Sequence, residues 1–105
     1  MNNDSKIVTR FAPSPTGFMH LGHAYAALHA WHLARQQNGK FLLRIENIDT
    51  GRCRQEFEEA IFEDLLWLGL NWDGQARRQS QNIREYKRAL DRLNRDHLLY
   101  PCFCT

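Results

Sequence analysis

The stretch Arg10–His23, RFAPSPTGFMHLGH, constrains this chain more than any other. Pro13 and Pro15 fix their own φ and push the residue before each toward extended backbone, so no helix can run through them. A short β-branched and apolar run, Ile7-Val8-Thr9, precedes the stretch, and a long helical pattern follows it. An α/β sheet offers a site for an anionic ligand in this order, past the C-terminal end of a strand and at the mouth of the next helix. First-turn N–H groups have no partner within the helix, and with the helix dipole they favour phosphate. His20, Gly22 and His23 fall at that mouth. Gly22 has no side chain to hold a ligand off the backbone. His20 and His23 are three apart and share a side, where two imidazoles can donate hydrogen bonds to phosphate oxygens. The plainer alternative is that the histidines only cap or pack the helix.

The remaining chain supplies the elements of such a sheet. Lys6–Phe11 is expected as a central, parallel first strand, with Arg10 at its C-terminal end. A guanidinium there suits a bidentate grip on a carboxylate, or simply a surface pair with a neighbour. Gly22–Asn38 reads as a helix with Ala24, Ala27, Leu28 and Trp31 on one face, stopped by Gly39. Phe41–Glu46, FLLRIE, is a near-continuous apolar run, expected as a strand covered on both faces. Strand, helix, strand makes a parallel pair with a crossover helix, so Glu46 emerges at the same edge as Arg10. A carboxylate and a cation across a cleft suit a zwitterionic ligand, unless the two pair with each other. Asp49-Thr50-Gly51 is a turn. Arg52–Leu68 is a second helix, with Phe57, Ile61, Leu65 and Leu68 on one face and Gly69 ending it. Leu70–Gly74 is a turn or irregular piece. Gln81–His97 is a third helix, carrying Ile83, Tyr86, Leu90 and Leu93, and Leu98-Leu99-Tyr100 is a short strand. The fold class is therefore α/β.

Charge and cysteine use narrow the class of partner. The 105 residues have a formal charge of +2, too little to argue for nucleic acid by itself. The region Asp73–Asp96 is locally basic, with seven arginines and lysines against four acids. A solvated helix face is the default for it, and contact with RNA phosphates the alternative. No stretch is apolar for the length that a bilayer span needs, so no membrane partner is expected. Residues 1–10 show no apolar leader core. Cys102 and Cys104 are too close for an ordinary disulfide framework, and an odd cysteine count points to a reducing cytosol. As soft thiolates they could be half of a zinc site, or two free thiols.

RFAPSPTGxxHLGH closely resembles the ATP signature region of the class I glutamyl-type aminoacyl-tRNA synthetases, with HLGH in place of their "HIGH" element. FLLRIENID is similar to their second signature, although Asn47 and Ile48 depart from the commoner Asp-Thr. The resemblance implies the N-terminal part, residues 1–105, of a Rossmann-like catalytic domain, with a zinc region beginning near residue 100. It implies that Arg10, Phe11, Ala12, Pro13, Ser14 and Glu46 shape a pocket for L-glutamate. Thr16, His20, Gly22 and His23 would face ATP, with His20, Gly22 and His23 as the catalytic set. Mg2+ would accompany ATP. Cys102 and Cys104 stand where the family carries a zinc ligand pair, in a YxCxCT context.

Within the family, HLGH, the Asp73-Gly74 pair and Ser80-Gln81 look more like the short branch that glutamylates queuosine in tRNA(Asp) than like enzymes that charge tRNA(Glu). The implied reaction has two steps. The α-carboxylate of glutamate attacks the α-phosphate of ATP, and the glutamyl group then passes to the queuosine base of tRNA(Asp). A cytoplasmic monomer is implied. The family's lysine-rich second ATP loop is not found in these residues, so they are expected to have little activity alone. A non-catalytic module that binds glutamate or nucleotide is the reading from another class.

Overall fold

The computed structural model describes residues 6–105. Residues 1–5, part of the segment searched for a leader, lie outside the described residues. Three parallel strands stand in the order β1-β2-β3: β1 is Val8–Phe11, β2 is Lys40–Ile45 and β3 is Arg77–Arg78. Helix α1, Leu21–Gln36, crosses from β1 to β2, and α2, Gln55–Trp67, lies between β2 and β3. A 3-10 turn, Gln79–Gln81, leads into α3, Ile83–Arg95. No helix of the described residues is long and apolar enough to cross a membrane.

The register sets which side chains share a face. Thr9 pairs with Phe41, Arg10 with Leu42 and Phe11 with Leu43, while Arg44 pairs with Arg77. Alternation then puts Phe41, Leu43 and Ile45 on one face, all buried. They meet Ala27 and Ala34 of α1, Ile61 and Leu65 of α2, and Leu70. The alanines let α1 lie close on the strands, and the Thr9 hydroxyl donates to the Ala30 carbonyl at 2.6 Å.

Several expectations are corrected. Among the described residues β1 is an edge strand and β2 the central one. β2 is covered on one face only: Leu42 is 40% exposed beside Arg10 and Arg44. Leu28 is also half-exposed, and the buried face of α1 runs through Ala27 and Ala34 instead. Asn38, not Gly39, takes the left-handed position after α1, with φ 52°. Gly39 serves close approach, because a Cβ there would stand 2.1 Å from the Ile7 carbonyl oxygen. α2 begins three residues later than expected, since Arg54 is its extended N-cap. Leu98-Leu99-Tyr100 forms no strand: His97 turns the chain at φ 58°, and the three residues lie exposed and pair with none of the three strands. The two-residue β3 lies where no apolar run announced a strand.

Asp73 locks these layers together. Its carboxylate accepts the Arg35 guanidinium and the Phe41 backbone N–H, each at 2.8 Å, while its own N–H donates to the Phe41 carbonyl. The Arg35 guanidinium, and then the Phe41 N–H, hold the Asp73 carboxyl below its ordinary value.

Candidate active site

The proline-rich connection lines a cleft of about 550 Å³ at the C-terminal edge of β1 and β2. Two carbonyls of that connection fix its course. The Pro13 carbonyl accepts the Glu46 N–H at 2.9 Å, and the Pro15 carbonyl accepts the Arg54 N–H at 3.1 Å. Both prolines are buried, so the loop is pinned to the ends of β2 and α2 rather than swinging in solvent. Arg10, Phe11, Ala12, Pro13, Ser14, Thr16, His23 and Glu46 all line the cleft, and Arg44 joins them. Phe11 itself is 8% exposed and contributes mostly to the core.

His20 and Gly22 do not line it. His20 is the N-cap of α1: its Nδ1 accepts the Gly22 N–H at 3.0 Å. The His23 Nδ1 accepts the His20 N–H at 3.1 Å, and the two rings lie 3.9 Å apart, tilted by 36°. The capping alternative is therefore realised, and the Gly22 N–H is used within the protein rather than left for an anion. The capping bonds also settle the tautomers. A neutral imidazole whose Nδ1 accepts carries its proton on Nε2. Each ring thus keeps one donor, Nε2–H, outside the capping bonds. His20 faces a smaller hollow, beside Asp64 and Trp67.

Arg10 and Glu46 share the cleft without pairing. The Glu46 Oε1 accepts Arg44 Nη2 at 2.7 Å. Arg10 takes part in none of the ion pairs among the described residues. Sequence reasoning missed Arg44, although Arg-Ile-Glu carries a signal: residues two apart at a strand end share a face. It also gave no role to Asn47, whose Oδ1 accepts the Ser80 N–H at 3.0 Å and ties the 3-10 turn to the end of β2. A larger hollow, about 630 Å³, opens at the start of α2. None of the residues expected at the site line it, and its Arg78 and Glu58 neutralise each other.

The family model for class I tRNA synthetases (E and Q), catalytic domain, matches residues 6–105. The chain belongs to this family. As a class I synthetase sequence, it is 50% identical over 99 residues to the glutamyl-Q tRNA(Asp) synthetase of Rhodobacter capsulatus, a match covering 94% of this chain and 36% of that protein. It is 48% identical over 101 residues to the glutamate–tRNA ligase of Aquifex aeolicus, covering 96% of this chain and 21% of that one. The chain thus spans about a third or less of the curated relatives it matches. A solved glutamate tRNA ligase from Elizabethkingia meningosepticum, in complex with its amino acid, superposes with a TM-score of 0.82 at 37% identity. That match covers 87% of this chain and 20% of that one. The parallel sheet with its crossover helices is the class I synthetase architecture.

The zinc position implied by the resemblance falls on Cys102 and Cys104. Cys102 and Cys104 are exposed, free thiols. The Cys104 backbone N–H, and then its thiol, lower the Cys102 thiol below the ordinary range. Among the described residues no third His, Cys, Asp or Glu stands with them. Two thiolates do not complete a tetrahedral zinc shell, so these residues by themselves do not fit a structural zinc ion.

Proposed function

We propose that residues 1–105 are the N-terminal portion of the catalytic domain of a cytoplasmic, monomeric ligase that activates L-glutamate with ATP and glutamylates the queuosine base of tRNA(Asp). The observation that supports it is one cleft lined by an unpaired guanidinium, a carboxylate with one oxygen uncommitted, and an imidazole whose Nε2 is outside the capping bond. Arg10 would take a carboxylate of glutamate and Glu46 its ammonium, within walls made by Phe11, Ala12, Pro13 and Ser14. Thr16, His20, Gly22 and His23 would border ATP.

An oxygen of the α-carboxylate forms a bond to the α-phosphorus while the bond to the pyrophosphate oxygen breaks. No side chain acts as nucleophile. The chain's own part is orientation and charge stabilisation: holding the amino acid in line, and offering Nε2–H donors as charge spreads over the phosphate oxygens. Mg2+ carried by ATP would offset charge on the pyrophosphate. Cys102 and Cys104 would give two of four zinc ligands, the others lying outside these residues.

The relatives divide between two acceptors at nearly equal identity. The choice of queuosine rests on HLGH, Asp73-Gly74 and Ser80-Gln81 in this sequence. The second reading, transfer to the terminal ribose of tRNA(Glu), is favoured by the glutamate–tRNA ligases among the relatives. Charging queuosine-containing tRNA(Asp) against tRNA(Glu), with a protein that carries this segment, separates them. Preference for tRNA(Glu) overturns the queuosine reading. Glutamate-dependent pyrophosphate–ATP exchange should be absent or very slow for the 105 residues alone, which hold no lysine-rich loop. Exchange at ordinary synthetase rates would refute that part.

A further inference from the structure

We infer that Arg44 is a positioning residue whose task is to keep the cleft's own cation and anion, Arg10 and Glu46, from neutralising each other. The inference rests on the glutamate reading of the cleft. Arg10 and Glu46 line the same space, and neither is held by the other. Opposite charges in one cleft attract. A Glu side chain has enough rotatable bonds to swing, so something must restrain it. The backbone end is held by the Glu46 N–H on the Pro13 carbonyl. The carboxylate end is held by Arg44 on Oε1 at 2.7 Å. Oε2 is then the oxygen left for an ammonium.

Arg44 keeps this pose at a cost. Its Nε is the only buried side-chain nitrogen or oxygen among the described residues with no hydrogen-bond partner. A buried N–H without an acceptor bears the full penalty of lost hydration. Arg44 also sits in register with Arg77, a second cation on the open face of the sheet. Water is close, since the Arg44 side chain is 32% exposed. That the guanidinium nevertheless stays on Glu46 marks the pair as the dominant contact of this side chain.

Binding of L-glutamate and of glutarate, which lacks the ammonium, tests the idea by NMR titration of an activation-competent protein that carries this segment. In Arg44→Gln, Glu46 is free to capture Arg10, so both ligands should weaken by roughly tenfold. In Glu46→Gln only L-glutamate should weaken. The decisive variant is Arg44→Gln with Glu46→Gln: Arg10 is released, and glutarate binding should return to the wild-type value. Glutarate binding in the double variant as weak as in Arg44→Gln alone overturns the proposal and leaves Arg44 a structural residue. Absence of binding of both ligands by the wild type overturns the glutamate reading instead. The positioning role is then read from the Arg10 Nε–H. It should gain protection from exchange in Arg44→Gln and lose it in the double variant, and an unchanged Arg10 signal overturns the role.

Discussion

The His20 and His23 rings lie 3.9 Å apart and each Nδ1 accepts a backbone N–H, so one pair of rings caps α1 and leaves both Nε2 atoms outside the capping bonds. Under the proposed ATP-facing role of the pair, capping and phosphate recognition would not compete. They would use different nitrogens of the same rings, and capping selects the tautomer that recognition would need.

Replacing His20 separates the two roles. His20→Ala removes the acceptor for the Gly22 N–H and should lower stability by about 1 kcal/mol, the usual cost of losing an N-cap. His20→Asn keeps a cap acceptor but has no Nε2–H. It should hold wild-type stability in urea denaturation while lowering glutamate activation at least tenfold in an activation-competent protein carrying the segment. Equal stability of His20→Ala and wild type would remove the cap from the account. Full activation by His20→Asn would remove the phosphate role.

Gly39→Ala tests the closest approach that an added methyl would make at any of the glycines. The new methyl would meet the Ile7 carbonyl at 2.1 Å, and that carbonyl also accepts the Lys40 N–H at 2.9 Å. Main-chain atoms cannot yield as a flexible side chain can, so the starts of β1 and β2 must part. The expected loss is about 2–3 kcal/mol or more, read as a lower urea midpoint. Gly17→Ala is the control, with nothing within 4 Å of the added methyl. Similar midpoints for the two variants would show that the contact is relaxed at little cost.

The elements most legible in the sequence are those with local signals. The β-branched run before the prolines marks β1, and of the four residues expected on one face of α2 Ile61 and Leu65 are buried while Leu68 is 38% exposed. FLLRIE signals a strand, which forms as β2, but does not signal its surroundings. An apolar run shows that a strand is buried somewhere, not that both faces are covered, and Leu42 is open here. β3 was invisible because two arginines have no strand signature, and their pairing is imposed by the end of β2. The short strand expected at Leu98–Tyr100 is absent because the chain turns at His97 and the Leu98 N–H goes back to the Leu93 carbonyl of α3 instead of to a strand. At the site, the string Arg10–His23 located the cleft. The Arg44 pair and the capping bonds depend on side-chain directions that spacing alone leaves open.

Asp73 predicts a specific acid sensitivity. The Arg35 guanidinium and the Phe41 N–H favour its ionised form, so its carboxyl titrates below the ordinary value of 3.8 when folded. The unfolded chain therefore binds this proton first as pH falls. Stability from Asp73 is fully present above about pH 4 and is lost as pH drops through the lowered folded value. Asp49, held down chiefly by Arg52, adds a loss of the same sign from an exposed position. Asp73→Asn leaves a neutral acceptor for the Phe41 N–H but no charge for Arg35. It should lower the urea midpoint at pH 7 and flatten the dependence of that midpoint on pH below about 4, where the wild type falls more steeply. Parallel curves for the two proteins, offset but with the same acid slope, would mean that the Asp73 carboxylate does not couple folding to protons. The lock between α1 and β2 would then act through shape and neutral hydrogen bonds alone.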